Sequence, residues 1–317
     1  MMASLDRCSA ANAGRLGASA QAPRATSTDA QAPRAVPAGT RTPRASSANG
    51  QARCAISTEA QVPRATLGSA LAAEVRKFRH AAPMRLALIM ALPFPLIALL
   101  TASSGNVSFS PWNYWYVLLM PVTIALFTGC VANADARMRN RPLLGSGAPL
   151  GQAWWAKALW CLMLSGLSNL VVLALYIAAL AIGGGLSTAA VLTMALAALA
   201  TTITSAWMIP AGLFLTARAG LLAGIFLPLA VQLVGGFAWS AIPVPQLFPP
   251  SATTVIPTAF IPVLPSGEPL AADTVLGGAL AANGALTWAG IAVAALAFVL
   301  LTAVSAAWFA QSEEVRL

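Results

Sequence analysis

Charge is what this sequence has least of, and acidic charge least of all. Nine Asp and Glu stand against eighteen Lys and Arg in 317 residues. Only 9% of the chain is therefore charged, where a soluble domain carries roughly a quarter, while 58% is hydrophobic. That balance excludes an ordinary soluble domain and points to an all-α polytopic membrane protein. No ionisable residue falls in the middle of a long apolar run, which removes the groups expected of a proton relay, an ion pump or a voltage sensor and disfavours a secondary transporter. The single histidine, His80, lies outside those runs and reads as a solvated or headgroup-level side chain. With no intramembrane His, Asp or Glu to activate a serine or bind a metal, a membrane protease or metalloenzyme lacks its parts. The only lysines, Lys77 and Lys157, stand in Arg-Lys-Phe and Ala-Lys-Ala, so there is no G-x-x-x-x-G-K-[ST] loop and the chain does not hold ATP phosphates in that way. Cys8, Cys54, Cys130 and Cys161 show no paired spacing, so neither a disulfide framework nor a zinc site is implied.

The basic excess does not imply a nucleic-acid partner, because the Lys and Arg are thinly spread and border apolar runs. Membrane orientation accounts for them better. The stretch Asn133 to Lys157 is the longest polar interruption between runs long enough to span a bilayer, and it holds Arg137, Arg139, Arg141 and Lys157 against the single acid Asp135. It is expected in the cytosol. Its second half, Pro149 to Leu159, spaces Leu150, Trp154 and Ala158 along one helical face and sets Trp154 and Trp155 just before Lys157, which predicts a short helix lying at the inner membrane surface.

Residues 1–66 are a different polymer, rich in Ala, Arg, Ser, Thr and Pro and poor in large apolar residues. A degenerate repeat recurs at Gln21–Ala25, Gln31–Ala35, Arg41–Ala45, Gln51–Ala55 and Gln61–Ala65, and its prolines prevent a continuous helix. We read it as a disordered extension or as the product of a start codon taken too far upstream; weak attachment to anionic lipid through its arginines is the functional alternative. From residue 67 the pattern changes. Leu71, Val75 and Phe78 share a helical face while Glu74, Arg76, Lys77, Arg79 and His80 decorate the remainder, predicting an interfacial amphipathic helix.

Six spans are then expected, at about 84–101, 115–131, 158–182, 188–213, 220–239 and 286–308, with both termini cytosolic. Pro93 and Pro95 predict a break in the first, and Arg85 can snorkel to the inner surface. Trp112, Tyr114, Trp115 and Tyr116 are expected as an interfacial belt at the outer end of the second. All eighteen Lys and Arg then lie on the cytosolic side, and Glu268 and Asp273 outside. The proline-rich stretch Ser240 to Ala285 is too broken to span and is expected to form short re-entrant or surface helices at the outer face. The polar residues inside the spans are uncharged: Ser165, Ser168 and Asn169, then Thr201, Thr202, Thr204 and Ser205, then Gln232. Hydrogen bonding between helices is the first reading of Asn169, Thr201, Thr204 and Gln232; lining a peptide or lipid path is the second.

An amphipathic leading helix, six spans, a basic loop with an interfacial helix between the second and third, and an external helical insertion before the sixth resemble the permease subunits of ABC-2 type transporters. More narrowly, Glu74-Val-Arg-Lys77, Pro121, Arg141-Pro-Leu-Leu144 and Gln152-Ala-Trp-Trp-Ala-Lys157 look like the lantibiotic immunity permeases of the epidermin and mutacin kind. The resemblance covers residues 67–317; the Pro-Arg repeats are no part of it. It implies a multi-pass protein of the bacterial cytoplasmic membrane that is not itself an enzyme and expels an antimicrobial peptide. A separate ATPase subunit would supply ATP and Mg, and a second permease copy or a different permease would complete the complex. The loop, through Arg137, Arg139, Arg141, Trp154, Trp155 and Lys157, would couple to that ATPase; no cofactor or nucleic acid is expected on this chain. A membrane scaffold or sensor whose cytosolic loop recruits a regulator is the alternative of a different class.

Overall fold

The computed structural model describes residues 66–105, 107–137, 149–269 and 284–314. The repeat extension, Arg139, Arg141 and Asp273 lie outside the described residues, as does the side chain of Arg137. Among the described residues the regular structure is helical, apart from one isolated bridge between Val263 and Pro269. Six stretches are long and apolar enough to cross a membrane: Ala82–Ala102, Ser110–Asp135, Leu150–Ile182, Thr188–Ala219, Leu221–Ala241 and Gly284–Ser312. These are the six expected spans, and they mark a multi-pass membrane protein.

Prolines set the breaks inside them. Helix α1 (Leu67–Phe78) precedes the first span, which is divided into α2 (Ala82–Ile89) and α3 (Pro93–Ala102) as the sequence predicted. The second span runs through α4 (Ser110–Tyr114), a π-helical turn at Trp115–Leu119 and α5 (Met120–Arg137). Pro121 has no N–H for the Val117 carbonyl, and the turn just before it widens so that the Met120 N–H reaches back to the Trp115 oxygen. Pro210 acts in the opposite sense in the fourth span. Between α7 (Thr188–Ser205) and α8 (Met208–Ala219) the ladder tightens, with Ala206 donating to Ile203 O at 3.2 Å and Ile209 to Ala206 O at 3.0 Å.

The third span corrects the expectation of a separate surface helix. Pro149 opens α6, but the helix then runs unbroken from Leu150 to Ile182. No Gly or Pro follows Pro149 in this stretch except Gly151 and Gly166, and neither interrupts the ladder. At 33 residues it is about 50 Å long, against a hydrocarbon core of roughly 30 Å, so its first turns continue the span beyond the apolar layer. Gly183 and Gly184 (φ 75°) end it, and Ser187 caps α7 by accepting from the Ala190 N–H at 3.1 Å.

The second span is the centre of the molecule: 61% of its apolar window is buried, against 22% for the first and 28% for the fifth. Trp112, Trp115 and Tyr116 are fully enclosed here rather than standing as a surface belt; of that group only Tyr114 is exposed. Trp112 lies 4.6 Å between ring centroids from Tyr176 of α6, and Phe109 stacks on Tyr176 at 5.6 Å. Tertiary packing of three large rings, Phe109, Trp112 and Tyr176, thus overrides what hydropathy alone suggests for a span end.

A hairpin at Gly220 (φ 96°) joins α8 to α9 (Leu221–Phe237), and the two helices approach closely through glycine. A methyl group on Gly224 would lie 1.9 Å from Thr216 Oγ1, and one on Gly212 2.8 Å from Thr128 Oγ1. After the fifth span come short helical turns and α10 (Pro249–Val255), then α11 (Gly284–Glu314). Pro250 to Pro257 are buried, so this segment re-enters the bundle and does not lie on its surface. Ser251 Oγ donates to Gly235 O at 2.7 Å, in the last turn of α9, and Gln232 Nε2 to Pro250 O at 3.0 Å, so the two helices are joined by polar contacts in both directions.

Candidate functional site

The charges at the ends of the second and third spans and on α1 converge. Asp135, one of the last residues of the second span, is buried, and each carboxylate oxygen takes an ammonium group: Oδ1 that of Lys77 from α1, Oδ2 that of Lys157 from α6. Lys157 is itself only 3% exposed. Glu74, one turn before Lys77 on α1, is also buried; its Oε2 lies 3.9 Å from Lys77 Nζ, too far for a hydrogen bond, and has no hydrogen bond among the described residues. Two lysines and two acids thus share one site, three of them buried and Lys77 reaching in from the exposed side, their formal charges cancelling. Lys77 also rests 4.8 Å from the Phe78 ring centroid.

Burial pushes the Glu74 carboxyl above its ordinary range; Lys157 and Lys77 pull it down, and Asp135 adds to the rise. The neutral form of Glu74 is thus favoured over that of an exposed glutamate. Both oxygens of Asp135 are engaged by lysines, and no group of three or more His, Cys, Asp or Glu that could hold a metal ion occurs among the described residues. The chemistry of the cluster is mechanical. It fastens α1, the end of α5 and the start of α6 to one another, and the chain between Asp135 and Lys157 leaves and returns through this single point.

The sequence-predicted residues separate into three groups. Lys157, expected on a docking face, is enclosed in the ion pairs, and Trp154 is enclosed too: its Nε1 donates to Ser305 Oγ of α11 at 2.9 Å. Trp155, on the adjacent face, is half-buried. On α1, Glu74 turns inward with Phe78, while Arg76 and Arg79 are exposed. Within the bundle, Asn169 Oδ1 accepts from Trp115 Nε1 at 3.1 Å, and its Nδ2 donates to Thr202 Oγ1 at 3.0 Å and to Ser165 O at 3.1 Å. Gln232 accepts from Trp207 Nε1 at 3.1 Å while bonding Pro250. Thr201 and Thr204 return their hydroxyls to their own helix, at Ala197 O and Thr201 O. Asn169 and Gln232 therefore join helices.

Asp135 is the residue that sequence reasoning noted without using. Its signal was its isolation, as the only acid in a basic stretch at a span end. Ser305 and Ser251 carried no such signal, since serine in an apolar helix is ordinary. Compared with family models, with curated proteins and with solved structures, the chain matches none.

Proposed function

We propose that this chain is the permease subunit of an ATP-binding cassette exporter, with the loop after the second span as the element that a separate ATPase grips. In this reading α1 is an interfacial helix on the cytosolic face, both termini are cytosolic, and the chain sits in a bacterial cytoplasmic membrane. The substrate is an amphipathic antimicrobial peptide such as a lantibiotic, expelled from the bilayer to protect the producing cell, and a second permease completes the complex. The observation that carries the proposal is the ion-pair cluster. A displacement of the loop between Asp135 and Lys157 must pass through their shared ion pair, and Lys77 joins α1 to the same point. A partner pulling on the loop would move three elements together, as coupling to an external energy source requires.

Enclosure of Trp154 and Lys157 moves the docking surface to Arg137, Arg139, Arg141 and Trp155. The test is co-purification of the full chain with a P-loop ATPase encoded by a neighbouring gene. Arg139→Glu with Arg141→Glu is expected to release the ATPase and abolish peptide resistance while the chain stays in the membrane at its usual level. Retention of both by that variant would overturn the reading. A neighbouring kinase captured in place of an ATPase would favour the scaffold. Orientation is checked with an impermeant thiol reagent: a cysteine beside Glu268 should be labelled from outside and one beside Arg139 should not.

A further inference from the structure

Among the described residues, the face of α1 opposite the ion-pair cluster has no ion-pair partner for its charge. Glu74 and Phe78 are buried and Leu71 and Val75 half-buried, which fixes the roll of the helix and leaves Arg76, Arg79 and His80 exposed. Arg76 and Arg79 are three residues apart and so lie on neighbouring positions of one face. The nearest acid in sequence, Glu74, is turned inward toward the lysines, and no ion pair forms with Arg76, Arg79 or Arg85 among the described residues. Arg85, a few residues on in α2 and within the first span, is exposed as well. One helical turn further along the same face stands Ile89, 62% exposed. At Arg85 an exposed cation without an ion pair among the described residues thus stands one turn from an exposed apolar side chain of a membrane-spanning helix.

We propose that Arg76, Arg79 and Arg85, with His80 beside them, form a headgroup site for an anionic phospholipid whose acyl chains lie along Ile89 of the first span. Guanidinium groups suit this ligand because each offers paired N–H donors to phosphate oxygens and keeps its charge at any physiological pH. A free phosphate would use the arginines but leave Ile89 uncovered; a lipid satisfies both. Arg85 gains most, since a charge on a span needs either water or a headgroup within reach of its long side chain. The inference rests on the membrane placement of α2 and not on transport or an ATPase.

The experiment titrates the purified full chain in detergent with phosphatidylglycerol, with phosphatidylcholine and with inorganic phosphate, reading bound lipid by mass spectrometry and the melting temperature in parallel. Phosphatidylglycerol should bind in preference to phosphatidylcholine, bind more weakly as salt rises, and resist competition by an equal concentration of inorganic phosphate. Each Arg→Gln substitution should weaken binding about fivefold. Because the three side chains are exposed, Arg76→Gln with Arg79→Gln should melt in the absence of lipid as the parent does. That pair keeps the test decisive where Arg85→Gln fails to fold. Equal binding of the two lipids, undiminished binding by a folded variant, or full displacement by inorganic phosphate would each overturn the site. Preferential capture of a polyglutamate peptide over phosphatidylglycerol would overturn it in favour of an acidic protein.

Discussion

The Trp154 indole lies against the Phe309 ring with 4.7 Å between centroids and 30° between planes, tying the start of the third span to the end of the sixth. The same indole donates to Ser305, so the contact is fixed in direction as well as in area. Two ends of the bundle, distant in sequence, are one packed unit at the level of the ion-pair cluster.

Trp154→Ala is therefore expected to act on stability. Loss of a buried indole costs about 3–5 kcal/mol, with Ser305 losing its partner as well. Trp155→Ala, at a half-buried position, should cost far less and act on ATPase retention instead. Melting of both variants in detergent, beside pull-down of the ATPase, separates the two roles; a Trp154→Ala protein as stable as the parent would refute the contact as a structural tie.

Asp135→Asn should leave two ammonium groups facing a neutral amide and cost about 3–5 kcal/mol, and Lys157→Met should be of similar size. The double substitution should recover part of that loss, because the unmatched charges are reduced together. A coupling energy of about 0.5–3 kcal/mol from the four melting curves is the expected result. Strict additivity would mean that the pair does not act as a unit.

The raised pKa of Glu74 gives a pH dependence with a definite sign. Its folded-state pKa lies above the unfolded one, so its contribution is fully present below the unfolded value, near 4.5, and is lost as pH rises through the folded value. Asp135, Lys77 and Lys157 face the same carboxyl, but only Glu74→Gln fixes the neutral form. The variant should melt at or above the parent temperature at neutral pH, and the difference between them should shrink on acidification. Parallel curves for the two proteins across weakly acidic pH would show that Glu74 does not titrate there.

Gly224→Ala should destabilise by about 1–3 kcal/mol through overpacking. Thr216 Oγ1 can rotate away, but the Thr216 nitrogen at 2.7 Å and Gly212 O at 2.8 Å belong to the backbone and cannot. Gly151→Ala is the control, since nothing lies within 4 Å of its added methyl and alanine favours a helix by about 1 kcal/mol. Tolerance of Gly224→Ala, at the level of the Gly151→Ala control, would contradict the close approach of α8 and α9.

Spans and their breaks were legible because hydropathy and proline act locally. Pro93 and Pro95 announced the interruption between α2 and α3, and Pro149 the start of α6. The end of the loop helix was not legible, because a helix continues until something stops it, and nothing between Leu159 and Gly183 does. Trp112 and Trp115 were placed at the lipid boundary since a tryptophan near a span end looks alike whether Tyr176 or a headgroup lies beside it. The cluster was half legible: Lys157 and Asp135 were visible as charges at the ends of one loop, but their pairing depends on how two spans and α1 meet in space.

The re-entrant α10 has a consequence for how the protein is made. Gln232 leaves the ribosome ahead of Pro250, the residue whose carbonyl its amide engages 18 positions later. The Gly235 carbonyl likewise waits for Ser251. The fifth span thus enters the bilayer with a polar seam that its own helix does not close, and the translocation machinery or neighbouring water must shield it until the next segment arrives. The order of synthesis makes insertion of the fifth span depend on a segment that follows it.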